Sequence, residues 1–122
     1  MAPCYPALGP TSLNRRSLLA VAVLGASLTA LSFNVDGHAT VVYSDIMGCE
    51  SGCEQPAAGW PVPFVVDYPG LSPSGSVGGI WEVWFGIDKV FWGRLAASFA
   101  FWLAAAAVAV GAVQIVIARR AV

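Results

Sequence analysis

The residues of this sequence best suited to chemistry are Cys49 and Cys53, in the string Met-Gly-Cys-Glu-Ser-Gly-Cys-Glu. Two cysteines four apart can be bridged where the chain between them turns, and Gly48 and Gly52 favour such a turn. Outside the cytoplasm the pair is expected to be oxidised, a structural staple contributing about 2 kcal/mol in the chain-entropy picture. Redox chemistry is the competing reading. Dithiol enzymes use Cys-x-x-Cys at a helix start, where the helix dipole depresses one thiol pKa. Here the spacing is one residue longer, and Glu50 and Glu54 beside the pair would raise a thiol pKa. A metal site would need two further ligands, and His38 is the single histidine of the chain. The sequence has no Gly-rich phosphate loop, and one histidine cannot serve both a triad and a metal. No catalytic residue, metal or cofactor is expected, and the chain reads as a non-enzyme.

The elements that hold these cysteines are dictated by charge. Only 11% of the 122 residues are charged, against about a quarter in ordinary soluble domains. A run of 19 residues without charge separates Arg16 from Asp36, and one of 24 separates Arg94 from Arg119. About 20 helical residues cross a bilayer core. The spans are therefore placed at 17–35 and 94–118. Arg15 and Arg16 precede the first, and Arg119 and Arg120 follow the second, while all seven acids lie between them. Basic residues flank spans on the cytoplasmic side. The expected fold is an all-α membrane protein of the cell membrane: an antiparallel two-span helical hairpin with both termini cytoplasmic. It divides into a cytoplasmic arm (1–16), the first span, an extracytoplasmic loop segment (36–79), an interfacial aromatic helix (80–93), the second span and a short cytoplasmic end (119–122). Six scattered basic residues make no stripe for nucleic acid.

The string Asn14-Arg15-Arg16-Ser17-Leu18-Leu19 resembles the opening of a bacterial twin-arginine signal peptide. That resemblance implies cleavage, with Ala30-Leu31-Ser32 as a small-x-small site before Phe33. The alternative is a retained span, since the positive-inside rule alone also places arginines there. Both readings put residues 36–93 outside the cytoplasm.

Helices in lipid associate through small residues and hydrogen bonds. Ala22, Gly25, Thr29 and Ser32 form such a stripe on the first span, and Ala100, Ala104, Ala107, Gly111 and Gln114 on the second. The two stripes are expected to face each other, or to dock on a partner. In the outer segment, Thr40–Tyr43 and Phe64–Val66 read as short strands, and 71–79, rich in Ser and Gly, as a flexible connection. Trp60 and Phe64 sit in a stiff Gly-Trp-Pro-Val-Pro-Phe string, expected to pack over the strands. Wound as a helix, residues 80–92 put Trp81, Trp84, Phe85, Phe91 and Trp92 around most of the circumference, with Asp88 between Trp81 and Trp92. Together with Trp60 and Asp88, these aromatics are read as a membrane-interface or partner surface. The expected partners are the lipid bilayer and either a larger membrane complex or a second copy. The expected function is a non-catalytic accessory or scaffolding subunit. The alternatives are a membrane-tethered thiol–disulfide protein using the Cys-x-x-x-Cys pair, and a homo-oligomeric pore or lipid-binding protein.

Overall fold

A computed structural model describes residues 14–71, Val77 and residues 80–121. The arm before Asn14, including Cys4, and most of the 71–79 connection lie outside the described residues. Two long helices, α1 (Arg15–Ser32) and α3 (Trp92–Arg120), are each long and apolar enough to cross a membrane. Between them stand β1 (Asp36–Val41), β2 (Cys53–Ala58), β3 (Val65–Val66), the one-turn helix α2 (Ile80–Trp84) and β4 (Lys89–Val90). The four strands form one antiparallel sheet in the order β1-β2-β3-β4. The chain is thus not all-α: two apolar helices carry a small sheet.

α1 starts where Asn14, in extended conformation, offers its carbonyl to the amides of Ser17 and Leu18 at 2.8 and 3.1 Å. Two of its hydroxyls bond back within the helix. Thr29 donates to the Gly25 carbonyl at 2.8 Å, and Ser32 to that of Thr29 at 2.7 Å, the local back-bonding that lets Ser and Thr sit in apolar surroundings. The helices pack antiparallel, with Gly25 against Leu103. Gln114 Nε2 donates to Ser17 Oγ at 2.6 Å and ties the Arg15 end of α1 to the Arg120 end of α3.

β1 and β2 pair in continuous register from Asp36↔Ala58 to Val41↔Cys53. The expected strand at Thr40–Tyr43 starts earlier and ends at Val41, while β2 was not anticipated. Its sequence, Cys-Glu-Gln-Pro-Ala-Ala, lacks the β-branched and aromatic residues that mark strands. Pairing with β1 on one side and β3 on the other holds it extended. Pro56 is tolerated because it lies at the end of the β3 pairing, where its carbonyl accepts from the Asp67 amide at 2.9 Å. Val41, Tyr43, Cys49, Ala57 and Val66 form the sheet's core, with Phe91 packed against it.

The continuous helix expected over 80–93 does not form. α2 stops after one turn: Phe85 bonds back to Trp81, and Gly86 adopts φ +72°. That left-handed backbone suits glycine and ends a helix. The chain then re-enters the sheet as β4, pairing Lys89 with Val66 and Val90 with Val65. Pairing and burial of this stretch replace an exposed helical face.

Candidate functional site: the junction of sheet and helices

The sheet is fastened to α3 by side chains that the expected helical pattern did not single out. Ser98 is fully buried; its hydroxyl donates to the Val62 carbonyl at 2.9 Å and accepts from the Val62 amide at 3.3 Å. One turn on, the Trp102 indole donates to the Trp60 carbonyl at 3.0 Å. The Trp60 ring lies against Phe101 and Trp102, with centroids 5.2 and 5.3 Å away. The proline-rich string therefore packs down along α3 rather than over the strands. Phe64 is buried beside Phe33, 6.5 Å between centroids. Arg94 lies 4.7 Å over the Phe91 ring and donates to the Thr40 carbonyl at 3.3 Å, bracing β1 from the start of α3.

These anchors set the rotation of α3. On α1, Gly25, Thr29 and Ser32 are buried, with Ser17, while Ala22 is exposed. On α3 the inward residues are Ser98 and Ala106, with Trp102 and Leu103 half-buried. Ala100, Ala104 and Ala107 face outward, and a side chain at Gly111 would meet nothing within 4 Å. Gln114 alone of that expected stripe reaches α1. The reason is compositional: a helix this rich in alanine is smooth on several faces, and the Ser98 and Trp102 hydrogen bonds choose among them.

Of the expected aromatic surface, Trp81, Trp84, Phe85 and Trp92 are exposed and Trp60 is partly so. Phe91 turns inward beneath the sheet, and Asp88 is 4% exposed, so neither belongs to that surface. An exposed apolar shelf at the end of two apolar helices suits an environment where an indole ring can be half in lipid and half in water.

Cys49 and Cys53 form a disulfide across the turn, with Cα atoms 4.8 Å apart. Gly48 and Gly52 take φ +92° and +108° there. Cys49 is buried in the sheet core, whereas Cys53 is half-buried with the Gln55 amide 3.3 Å from its sulfur. An attacking thiol thus reaches Cys53 more readily. Replacing both cysteines by serine is expected to lower the unfolding free energy of the sheet by about 2 kcal/mol. Denaturant titration followed by Tyr43 environment or amide exchange checks this; unchanged stability would mean the turn holds without its bridge.

A second cluster was not foreseen. Tyr43 and Tyr68 meet edge to face, 5.1 Å between centroids, and the Lys89 ammonium sits 5.2 and 5.9 Å from the two rings. Tyr68 donates its hydroxyl to Asp45. That bond, chiefly, holds the Asp45 carboxyl below the usual carboxylate range and pushes the Tyr68 phenol above the usual phenol range. Burial, then the nearby Asp67 charge, raises the Tyr43 phenol as well. A depressed carboxyl stabilises the fold above its unfolded value, near pH 4. The contribution is lost as pH falls through the lower folded value. Titration of the Asp45 carboxyl carbon by NMR should show the low midpoint, and Tyr68→Phe should return it upward. An unmoved midpoint would assign the shift to another cause.

Among the described residues, no group of three or more His, Cys, Asp or Glu side chains is arranged to hold a metal ion. What the junction offers is surface: the aromatic shelf and the outward alanine face of α3. Compared with known proteins, the chain matches no family model, no curated protein and no solved structure.

Proposed function

We propose that this chain is a two-span membrane protein, termini in the cytoplasm and sheet outside, acting as a non-catalytic accessory or scaffolding subunit of a larger membrane complex. The membrane reading is supported by the apolar surface the helices leave open, including Leu18, Leu19, Val23, Leu31, Val108, Ile115 and Ile117. An apolar surface of that extent is not sustained in water. The orientation is supported by Arg15, Arg16, Arg119 and Arg120 gathering at the end of the hairpin closed by Ser17 and Gln114.

One observation carries the accessory role: α3 presents Ala100, Ala104 and Ala107 away from α1. Small residues on a lipid-exposed face let another helix approach closely. The exposed shelf of Trp81, Trp84, Phe85 and Trp92 adds a second contact area at the membrane surface. The test is purification of the tagged full chain from its native membrane in mild detergent, with mass spectrometry of what accompanies it. A stoichiometric larger complex that is lost on Ala104→Leu/Ala107→Leu supports the role. Recovery alone, or only as a homo-oligomer, overturns it.

A further inference from the structure

We infer that a groove between α1 and α3, beside the sheet, is a binding site for one acyl chain of a membrane lipid, its ester group at Asn34. The inference rests on the membrane reading proposed above and is independent of the accessory role.

The groove opens where the helices stop touching. At Gly25 they are in close contact: an added Cβ would lie 2.7 Å from the Leu103 side chain. Toward the sheet an open volume of about 560 Å³ remains between them. Ala26 and Ala30 form its α1 wall, and Leu95 and Phe99 its α3 wall. Phe64, packed beside Phe33, stands at the sheet end. No charged side chain lines the groove among the described residues. The Thr29 hydroxyl in its wall already donates to the Gly25 carbonyl at 2.8 Å. Asn34, exposed at the rim, places one amide hydrogen on the Leu31 carbonyl at 3.2 Å and keeps a second to donate.

Depth, chemistry and shape select a lipid chain as the occupant. Ala26 and Asn34 are eight positions apart, about 12 Å along a helix. The hydrocarbon of one leaflet is about 15 Å deep. With Ala26 near the middle of α1 and Asn34 just past its end, the groove covers most of one leaflet. Its walls are apolar, and its one available donor stands at the headgroup end, where an ester carbonyl would accept. A volume of this size is in the range of small-molecule sites. A partner helix, about 10 Å across, needs a lane that continues along both spans. This one is stopped by the Gly25–Leu103 contact at one end and by Phe64 at the other. A flexible chain fits such a recess, whereas a helix of a partner or of a second copy does not. Val77, from the connection after β3, lies instead beside Asp36, Gly37 and His38, which line a different cavity.

The test places the full chain in phosphatidylcholine nanodiscs in which a fraction of the lipid carries a mid-chain diazirine. One sample is irradiated in the nanodisc, and another after transfer to mild detergent and washing; labelled peptides are mapped by mass spectrometry. In the nanodisc the outward residues Ala100 and Ala104 should be labelled as well as the groove. After washing, label at Ala26, Ala30 and Phe99 should exceed that at Ala100 and Ala104 by about tenfold or more. Ala30→Trp fills the groove and should remove the retained label. Ala22→Trp, at an exposed α1 position outside the groove, should keep it, and the two variants should unfold at similar midpoints. Asn34→Ala should lower retention about fivefold, the loss of one hydrogen bond. Retained label spread evenly over the faces, absent from the groove, or unchanged in Ala30→Trp overturns the inference, and unchanged retention in Asn34→Ala overturns the placement of the ester. Ala100 and Ala104 unlabelled even in the nanodisc would overturn the membrane reading and the inference with it. Label there without retention in the groove overturns the inference alone, so the two failures are distinguishable.

Discussion

Gly59→Val is expected to cost the sheet about 3 kcal/mol or more, the largest effect of any single substitution at the junction. Two penalties coincide there. Gly59 holds φ +116°, a backbone conformation that a β-branched residue adopts only under strain. A Cβ at this position would also stand 2.5 Å from two atoms of the Phe64 ring. That ring is buried beside Phe33. Turning the Phe64 ring away empties its buried place beside Phe33, and shifting its backbone instead strains its amide bond to the Ala58 carbonyl, 3.0 Å, and its carbonyl's bond from the Phe91 amide, 2.8 Å. Those two bonds join β2 to the root of α3, so the damage spreads across the junction. Amide exchange at Ala58, Val65 and Phe91 should rise together, and Trp60 fluorescence should shift as the ring leaves Phe101 and Trp102. Gly37→Ala is the control: nothing lies within 4 Å of its added carbon, and its cost should stay within about 0.5 kcal/mol. Wild-type stability in Gly59→Val would mean the Phe64 anchor is dispensable.

Gly25→Leu is expected to separate the two helices and cost about 2 kcal/mol or more of hairpin stability. The added Cβ would lie 2.7 Å from Leu103 Cδ2 and 3.2 Å from the Leu103 Cα. The first contact can be relieved by a rotamer, but the second is backbone, so the helix itself must move. Moving it also strains the Ser17–Gln114 bond further along the interface. Steric-trap or denaturant unfolding in micelles, with a spin-label distance between α1 and α3, gives both readouts. Leu103→Ala in the Gly25→Leu background should recover part of the loss, since the two positions touch and their effects should not add. Gly111→Leu should leave hairpin stability nearly unchanged. Equal losses at Gly25 and Gly111 would show that the helices meet on a different face.

The contrast between those two glycines separates what could be read from residues alone from what could not. Both sat on stripes of small residues, and pattern gave no ground for ranking them. On α1 the buried face is the one that carries Gly25, Thr29 and Ser32, the helix's one glycine and two hydroxyls that bond back to its own carbonyls. On α3 alanines surround the helix, and the contact is chosen by Ser98 and Trp102 through bonds to Val62 and Trp60, 36 and 42 residues away. Sequence spacing within a helix cannot encode a partner so distant.

The strands divide in the same manner. Val65–Val66 announced itself by β-branched residues between prolines, whereas β2 had no such signal. The aromatic run after Ile80 suggested one interfacial helix because tryptophan and phenylalanine suit the membrane surface wherever they are. Gly86 breaking the helix, Asp88 turning in and Lys89–Val90 joining β3 all depend on a neighbouring strand that the local sequence does not contain.

By itself, then, the sequence determined the two apolar helices, the asymmetric placement of basic residues around them, and the cysteine pair close enough to bridge. These follow from composition over one window: transfer free energy, helix rise and loop length are local quantities. Only the tertiary structure decided which face of α3 meets α1, that the segment between the helices carries a four-stranded sheet, and that the Trp60–Phe64 string packs along α3. Those features arise from hydrogen bonds and packing between residues far apart in the chain, where each group's partner is set by the whole fold.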